Sequence, residues 1–555
     1  MIRFYPTSGD KHGWAIDEDL RLIRRALAGV ACESPLWRSD VVHAPFWMAL
    51  SMHVPSVLRR RFVIAHADNP PFFYLTQPGF AAGQGMVDLW VARSREAYAQ
   101  FSALGLPVEH IPYAIDESLF FPIPDRTALR RKHGIPEDAY VIGNFHRDSE
   151  GADLSRPKFQ KAPETFVAIL RAVRNMGAQP HVLLAGPRRH WMREALMRED
   201  IPFTFVGRAG ITGDDFSINI LSRGQLNELY NACDLYLVAS RWEGGPQSAM
   251  EAAAARVKIL SYPLGVAADI LVKESLFDVP TQAVEKIVRD IREGDLSSTL
   301  DAQQERLLAY HTTTAMTRSL RALYETLPQR MCQKPHWEAT HSRVTDFSRE
   351  VFWQWRRRKP RRLPRAVRIF HDRGHDAFLD EAVENLRGVL AQLGVLAGSG
   401  GGDVAIAGKS REHAQFRLLP AGGEDEYQDV DSCRIALSVQ DAVNFKKTGN
   451  EAPVVVCPLV FTAEERKARV VVIQEDDDRA SLSAWRCLLG GGVPVYPRES
   501  AYYYQVFHEG VPYGDNRSQA EAEALAGREE NFLRSLAVPS LEERAVKFWA
   551  ELLAR

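Results

Sequence analysis

The chain has 555 residues, of which 45% are hydrophobic and 25% charged, and its formal net charge is −2. At roughly 100–200 residues per domain, that length suggests about three or four soluble globular domains. The near-neutral balance provides no global field toward nucleic acid or acidic lipid, and six cysteines with no CxxC pair argue against a zinc site or a disulfide framework.

The N-terminus, MIRFYPTSGDKHGW, turns polar within a few residues, unlike a secretory leader. No run of about 18 apolar residues is present to span a membrane. The expected location is therefore the cytoplasm. In the first unit, to residue 122, Ile2 to Tyr5 reads as a strand. DEDLRLIRRALAG reads as an amphipathic helix with Leu20, Ile23, Leu27 and Val30 on one face. DVVHAPF, RFVIAHA and DLWVARS are further strands, and SREAYAQFSALG is a helix with a serine start and a glycine stop. Strands alternating with helices predict a parallel α/β sheet.

A second unit, 123–330, repeats the alternation. TALRRKHGI and APETFVAILRAVRNMG read as helices; YVIGNFH, PHVLLAGP, FTFVGR, DLYLVAS and VKILSYP read as strands. Its glycines and polar residues follow strands, where doubly wound sheets hold ligands. Residues 331–365 break the pattern with WQWRRRKPRRLPR, a basic linker or exposed arm whose tryptophans could stack on bases. The third region, 366–555, is again α/β: AVRIFHD, DVAIAG, CRIALS, APVVVCPL and ARVVVIQE are strand candidates. Its WRCLLGGGVPVYP is a weak echo of the second unit's helix–glycine–strand, without the acidic residues, so the region reads as a degenerate transferase-like unit. The amphipathic tail SLEERAVKFWAELLAR is suited to pack on a domain or on another chain; the oligomeric state stays open.

The most informative stretch is SRWEGGPQSAMEAAAARVKILSYP, residues 240–263. A strand ends, a Gly-Gly-Pro loop follows, and SAMEAAAAR, rich in strong helix formers, begins. Free N–H groups at the helix start make an anion site, and glycines let backbone approach a phosphate. Glu243 and Glu251 would repel a phosphate, but a carboxylate is a natural acceptor for paired hydroxyls. An anion site with two diol acceptors describes a nucleotide-sugar pocket.

Those residues resemble the donor-binding signature of retaining glycosyltransferases of the GT-B fold, especially family 4, the glycosyl transferases group 1 type. Glu243, Gly244, Pro246, Glu251, Ala252, Ala254 and Gly265 fit its pattern, with Val257-Lys258 where proline is usual. HIPYAIDESLFFP resembles the interdomain segment, with Ala114 in place of the usual glycine, and QLNELYNACDLYLVAS the preceding helix and strand. The resemblance spans roughly residues 60–270.

It implies two Rossmann-like domains facing a cleft, with donor binding on the second and acceptor binding on the first. It further implies transfer from a UDP- or GDP-sugar to an acceptor hydroxyl with retention, and no metal or resident cofactor. Carried over by motif, the donor groups are Arg147, Lys161 (with Lys158 as its rival), Glu243, Gly244, Gly245, Pro246, Gln247, Ser248 and Glu251. Gly13 lies in the loop expected beneath the phosphate. His66, at the end of RFVIAHA, would stand near the sugar C1 and act with Glu243 in catalysis. His43 reads as structural. The acceptor could be a glycan, a protein, a small molecule or nucleic acid. The alternatives are a transferase acting on a modified nucleic-acid base through the basic arm, another GT-B-fold enzyme such as an epimerase or phosphorylase, and a non-catalytic sugar-nucleotide-binding protein.

Overall fold

The computed structural model describes residues 1–7, 15–69, 86–103, 105–150, 153–333, 366–370, 377–399, 413–418, 433–436, 454–456, 470–472, 487, 493–497, 511–514, 517–533 and 540–553. Gly13, the basic stretch up to residue 365 and the strand expected at 403–408 lie outside them.

The first unit is built on a six-stranded sheet: β1 (Ile2–Pro6), β2 (Ala31–Glu33), β3 (Val41–Ala44), β4 (Phe62–Ala67), β5 (Leu89–Ala92) and β6 (Val108–His110), in the order β2-β1-β3-β4-β5-β6. Every adjacent pair is parallel. The central strands are short apolar runs buried on both faces, as a helix-covered parallel sheet requires. β2 and β6, three residues each, have too little apolar pattern to be read from sequence.

The second unit carries β7 (Tyr140–Asn144), a short antiparallel pair β8 (Ser149–Glu150) and β9 (Asp153–Pro157), then β10 (Pro180–Ala185), β11 (Phe203–Val206), β12 (Leu235–Val238) and β13 (Lys258–Ser261). Its five-stranded sheet runs β11-β10-β7-β12-β13, all parallel. From β7 the chain winds outward through β10 and β11, then returns to β12 on the other side. The sheet therefore reverses direction between β7 and β12, and a crevice opens at their carboxyl ends.

Two crossings join the units. Ile115 pairs with Thr312, and the Ile115 N–H donates to the His311 carbonyl at 2.9 Å. Beyond the second crossing, the helix Thr313–Gln333 returns to the first sheet. Its Leu320, Tyr324 and Leu327 join Phe4, Leu27 and Ile64 in one core. The sequence reading kept this helix within the second unit, 123–330. Its apolar stripe marks a buried face without specifying which sheet covers it.

In the C-terminal region, β14 (Ala366–Phe370), β15 (Leu396–Ser399), β16 (His413–Leu418), β17 (Cys433–Ala436) and β18 (Val454–Val456) form one parallel sheet. β19 (Val470–Val472), β20 (Val493–Pro497) and β21 (Val511–Tyr513) form another. Val493, Val495 and Val511 pack with Ala522 and Ala526 of the helix Gln519–Leu533 and with Val279 of the second unit. Among the described residues, no helix is long and apolar enough to cross a membrane.

Candidate active site

The crevice at the carboxyl ends of β7 and β12 gathers residues distant in sequence. β7 runs into His146 and Arg147, β12 into the loop 239–246, and β10 into Arg188 and Arg189. The helix Gln247–Ala254 begins directly after Pro246, and no side chain caps it. Its first N–H groups are therefore available to a ligand. Ser248, in its first turn, pairs through Oγ with His146 Nε2 at 2.6 Å. Burial, then the cations Lys161, Arg189 and Lys158, hold the His146 pKa well below the usual histidine value. All three cations therefore act on the imidazole beside this helix N-terminus and disfavour its protonation.

Lys161 ends a short 3-10 turn, Phe159–Lys161, just before the helix Pro163–Asn175. Its Nζ donates to Glu243 Oε1, and both side chains are mostly buried. The two loops are also tied at their backbones. The Arg241 N–H donates to the Gln160 carbonyl at 2.9 Å, and Gln160 Nε2 to the Trp242 carbonyl at 3.3 Å. Arg241 reaches across to the Phe159 carbonyl and to Glu164 Oε1, each at 2.7 Å. Lys158 stands one turn earlier, its N–H donating to the Asp148 carbonyl at 2.7 Å, while Arg147 is half-buried beside His146.

Arg189 was not singled out from the sequence. It is 1% exposed, and its Nη2 donates to both the carbonyl and the side-chain oxygen of Asn144 at 2.9 Å. Its Nε and Nη1 have no hydrogen-bond partner among the described residues. Nearby, burial pushes Asp148 up to about 6, with Arg189 opposing it. The available sequence signal was PRRH at the end of a strand, which does not distinguish a buried arginine from a solvated one.

Glu251, in the second turn of its helix, is held by two donors: Arg223 Nη1 at 2.9 Å and the Tyr230 hydroxyl at 2.7 Å. Burial raises its pKa against the pull of Arg223 and Tyr230. With Gln247, Arg223, Glu18 and Asp116 it lines a pocket between the second unit, the interdomain segment and the first unit's helix Ala15–Leu27. Each carboxylate oxygen has one donor here, which leaves lone pairs for further hydroxyls.

The opposite wall is the carboxyl end of β4. Gly244 lies against it so closely that a methyl group there would sit 1.0 Å from the Asp68 carbonyl oxygen. A methyl on Gly245 would fall 2.2 Å from ring carbons of Tyr113. Only glycines permit this approach of the two units. The Tyr113 hydroxyl donates to Asp68 Oδ1 at 2.5 Å; burial nevertheless pushes the Asp68 carboxyl up to about 7.

His66 lies in β4, one residue before its carboxyl end. It is fully buried, with Nδ1 3.0 Å from Asp19 Oδ2 and Nε2 2.8 Å from His43 Nε2. His43 Nδ1 lies 2.9 Å from the Tyr324 hydroxyl. Burial alone would raise the Asp19 pKa; Arg93 and His66 outweigh it and keep the group ionised. An ionised Asp19 can only accept, so His66 donates from Nδ1, receives from His43 at Nε2, and His43 receives from Tyr324. Burial first, with help from the nearby Arg93 charge, lowers both histidine pKa values, so both rings are neutral. With both ring nitrogens engaged, His66 has no free atom to offer a sugar. His43 is likewise fully buried, bonded between Tyr324 and His66.

Among the described residues, no group of three or more His, Cys, Asp or Glu could hold a metal ion.

Residues 211–299 match the family model of glycosyl transferases group 1. Solved structures with similar folds include Anabaena HepE in complex with UDP and glucose: 14% identity, 59% of this chain and 100% of that one, TM-score 0.46. Sucrose-phosphate synthase from Thermosynechococcus elongatus is similar at 15% identity over 59% of this chain and 100% of that one, TM-score 0.47. The pneumococcal O-GlcNAc transferase GtfA in complex with UDP and GlcNAc matches at 13% identity over 52% and 57%, TM-score 0.36. No curated protein matches the chain in sequence.

Proposed function

We propose that this chain, whose residues 211–299 are a glycosyl transferases group 1 segment and which is on that ground a glycosyltransferase, moves a sugar from a nucleoside-diphosphate donor to an acceptor hydroxyl. One observation carries this reading: at the reversal point of the second sheet, Lys161 and Glu243 meet beside an uncapped helix N-terminus.

In this reading the diphosphate lies on the first N–H groups of the helix Gln247–Ala254, beside Ser248, Lys161 and Arg147. As the bond from C1 to the phosphate oxygen breaks, the electron pair leaves with the diphosphate. Fixed cations and aligned N–H dipoles stabilise the growing charge. Arg189 supports the site from beneath, through the carboxyl end of β7. Glu251, aimed by Arg223 and Tyr230, accepts from the ribose diol. Glu243 accepts from the donor sugar, and its ion pair with Lys161 couples sugar and phosphate recognition.

The acceptor oxygen bonds to C1 from the side of the first unit, and its proton passes to an oxygen of the departing diphosphate. His66 acts in this reading through Asp19 and His43, by fixing the end of β4, and not by touching the sugar. The Gly244–Asp68 contact supports a closed cleft, which would protect the donor from hydrolysis. Retention of configuration is the outcome expected from the family pattern around Glu243 and Glu251.

Calorimetric titration of wild type and Glu251→Ala with UDP, GDP, ADP and their sugar conjugates tests the reading. Binding of one nucleotide series by wild type, weakened in the variant, is the expected result and names the base. A folded wild-type protein that binds none of them would refute the donor site.

A further inference from the structure

The C-terminal tail is SLEERAVKFWAELLAR, from Ser540. In the structure it forms the helix Leu541–Leu553, and its Arg544 reaches the donor site of the second unit. The Arg544 guanidinium carbon lies 3.7 Å from the ring centroid of Phe159. Phe159 opens the turn that ends in Lys161, and the same ring takes the Arg241 guanidinium at 4.1 Å. It also meets Trp242 edge-on, with ring centroids 5.6 Å apart. Trp242 immediately precedes Glu243, so the aromatic pair joins the same two stretches of chain as the Lys161–Glu243 ion pair.

The tail helix is held by the rest of the C-terminal region. Gln392 Nε2 donates to Glu542 Oε1 at 2.6 Å, and Ala545 and Trp549 are fully buried. That region is fastened to the second unit at another point. Val279 belongs to its valine–alanine core, and the Thr281 hydroxyl donates to Glu529. Arg544 is therefore presented by a packed helix whose supporting region is anchored elsewhere on the same domain.

We propose that Arg544 is a positioning residue of the donor site: stacked on Phe159, it holds the 158–161 turn so that Lys161 faces the diphosphate. The inference rests on the donor-site reading above. A guanidinium over an aromatic face is attracted by the ring quadrupole, most strongly where water is excluded. Here the attraction adds to the ties that already hold the turn: the Lys158 N–H to the Asp148 carbonyl, Gln160 to the 241–242 backbone, Arg241 to the Phe159 carbonyl, and Lys161 to Glu243. Ordering the turn before the ligand arrives removes part of the entropic cost of binding. The effect should fall on the diphosphate, because Lys161 is the group the turn carries, and not on the nucleoside, which meets the Glu251 pocket.

The test uses the full chain as wild type, Arg544→Ala, Arg544→Lys, Phe159→Leu and the Arg544→Ala/Phe159→Leu double variant. Each is titrated with UDP, GDP and ADP and with the matching monophosphates, after thermal melts establish folding. Arg544→Ala should weaken the preferred diphosphate about five- to tenfold and leave the monophosphate within about twofold. Arg544→Lys should recover much of the loss, and the double variant should be no weaker than Phe159→Leu alone. Unchanged diphosphate binding in folded Arg544→Ala would overturn the inference and leave the donor site standing. Equal losses for mono- and diphosphate would overturn it too, by showing a general effect of the tail on the fold. A wild type that binds no nucleotide would instead sink the donor-site reading, and this inference with it.

Discussion

Lys161 donates to Glu243 across 82 residues of chain, joining the turn before one helix to the loop before another. With both groups mostly buried, neither is left alone without cost: a buried charge deprived of its partner typically costs about 3–5 kcal/mol. Lys161→Met should therefore lower the melting temperature and weaken nucleoside-diphosphate binding by about 10- to 100-fold. Glu243→Gln keeps the shape and frees the cation. Nucleoside-diphosphate affinity should stay within about threefold, whereas turnover of the sugar conjugate falls about 100-fold. Lys158→Met, whose ammonium lies a turn earlier, should change diphosphate affinity less than Lys161→Met does. Parallel calorimetry and turnover assays check all three, and a larger loss in Lys158→Met would reassign the phosphate-binding lysine.

The approach of Gly244 to Asp68 makes a sharp steric prediction. A methyl at Gly244 would meet backbone, which cannot rotate aside as a flexible side chain can. Gly244→Ala should hold the units apart while leaving the second unit's own anion site intact. Turnover should fall about 100-fold, because misplacement by an ångström is enough for that loss. Nucleotide affinity should change far less. Scattering in solution should report a larger radius of gyration for the variant; equal radii together with full turnover would remove the closed-cleft account.

The strand–glycine–helix order around Glu243 and Glu251 was legible because it lies within a single stretch of chain. So was the helix start at Pro163 that Lys158 and Lys161 precede. The alternation of strands and helices also gave the two parallel sheets. The buried setting of His66 was not legible because it is non-local: Asp19 comes from the first helix and Tyr324, which bonds His43, from a helix beyond the second unit. Arg189 was missed because only the sheet order brings the end of β10 beside Asn144. Neither the burial of a polar side chain nor the sheet that a helix covers is written in local periodicity.

Asp68 should give stability a measurable pH signature. Its folded pKa is raised to about 7 by burial, so between the unfolded value near 3.9 and 7 the folded protein holds a proton that the unfolded chain has lost. This group's contribution therefore falls as pH rises through that window and is flat above it. Three pKa units correspond to roughly 4 kcal/mol. Asp68→Asn keeps an acceptor for the Tyr113 hydroxyl and removes the titration. The difference in unfolding free energy, variant minus wild type, should grow in the variant's favour from pH 4 to 7 and then level off. Denaturant titrations at four pH values suffice, and a difference independent of pH would refute it.

The Tyr324–His43–His66–Asp19 chain makes the opposite prediction on the acid side and tests how the helix Thr313–Gln333 belongs to the first unit. Both histidines are neutral in the fold with lowered pKa values, so below the unfolded value near 6.5 the unfolded chain binds more protons. Their contribution to stability is therefore lost as pH falls through 6.5. His43→Phe, which cannot titrate, should flatten that limb of the profile, even though it destabilises the protein at neutral pH. Tyr324→Phe removes only the hydroxyl that donates to His43 Nδ1, leaving a buried acceptor unpaired at a cost of about 1–3 kcal/mol. That loss should appear in hydrogen exchange of β3 and β4, because the helix shares their core. Faster exchange confined to the second sheet would show that the helix is not part of the first unit in solution.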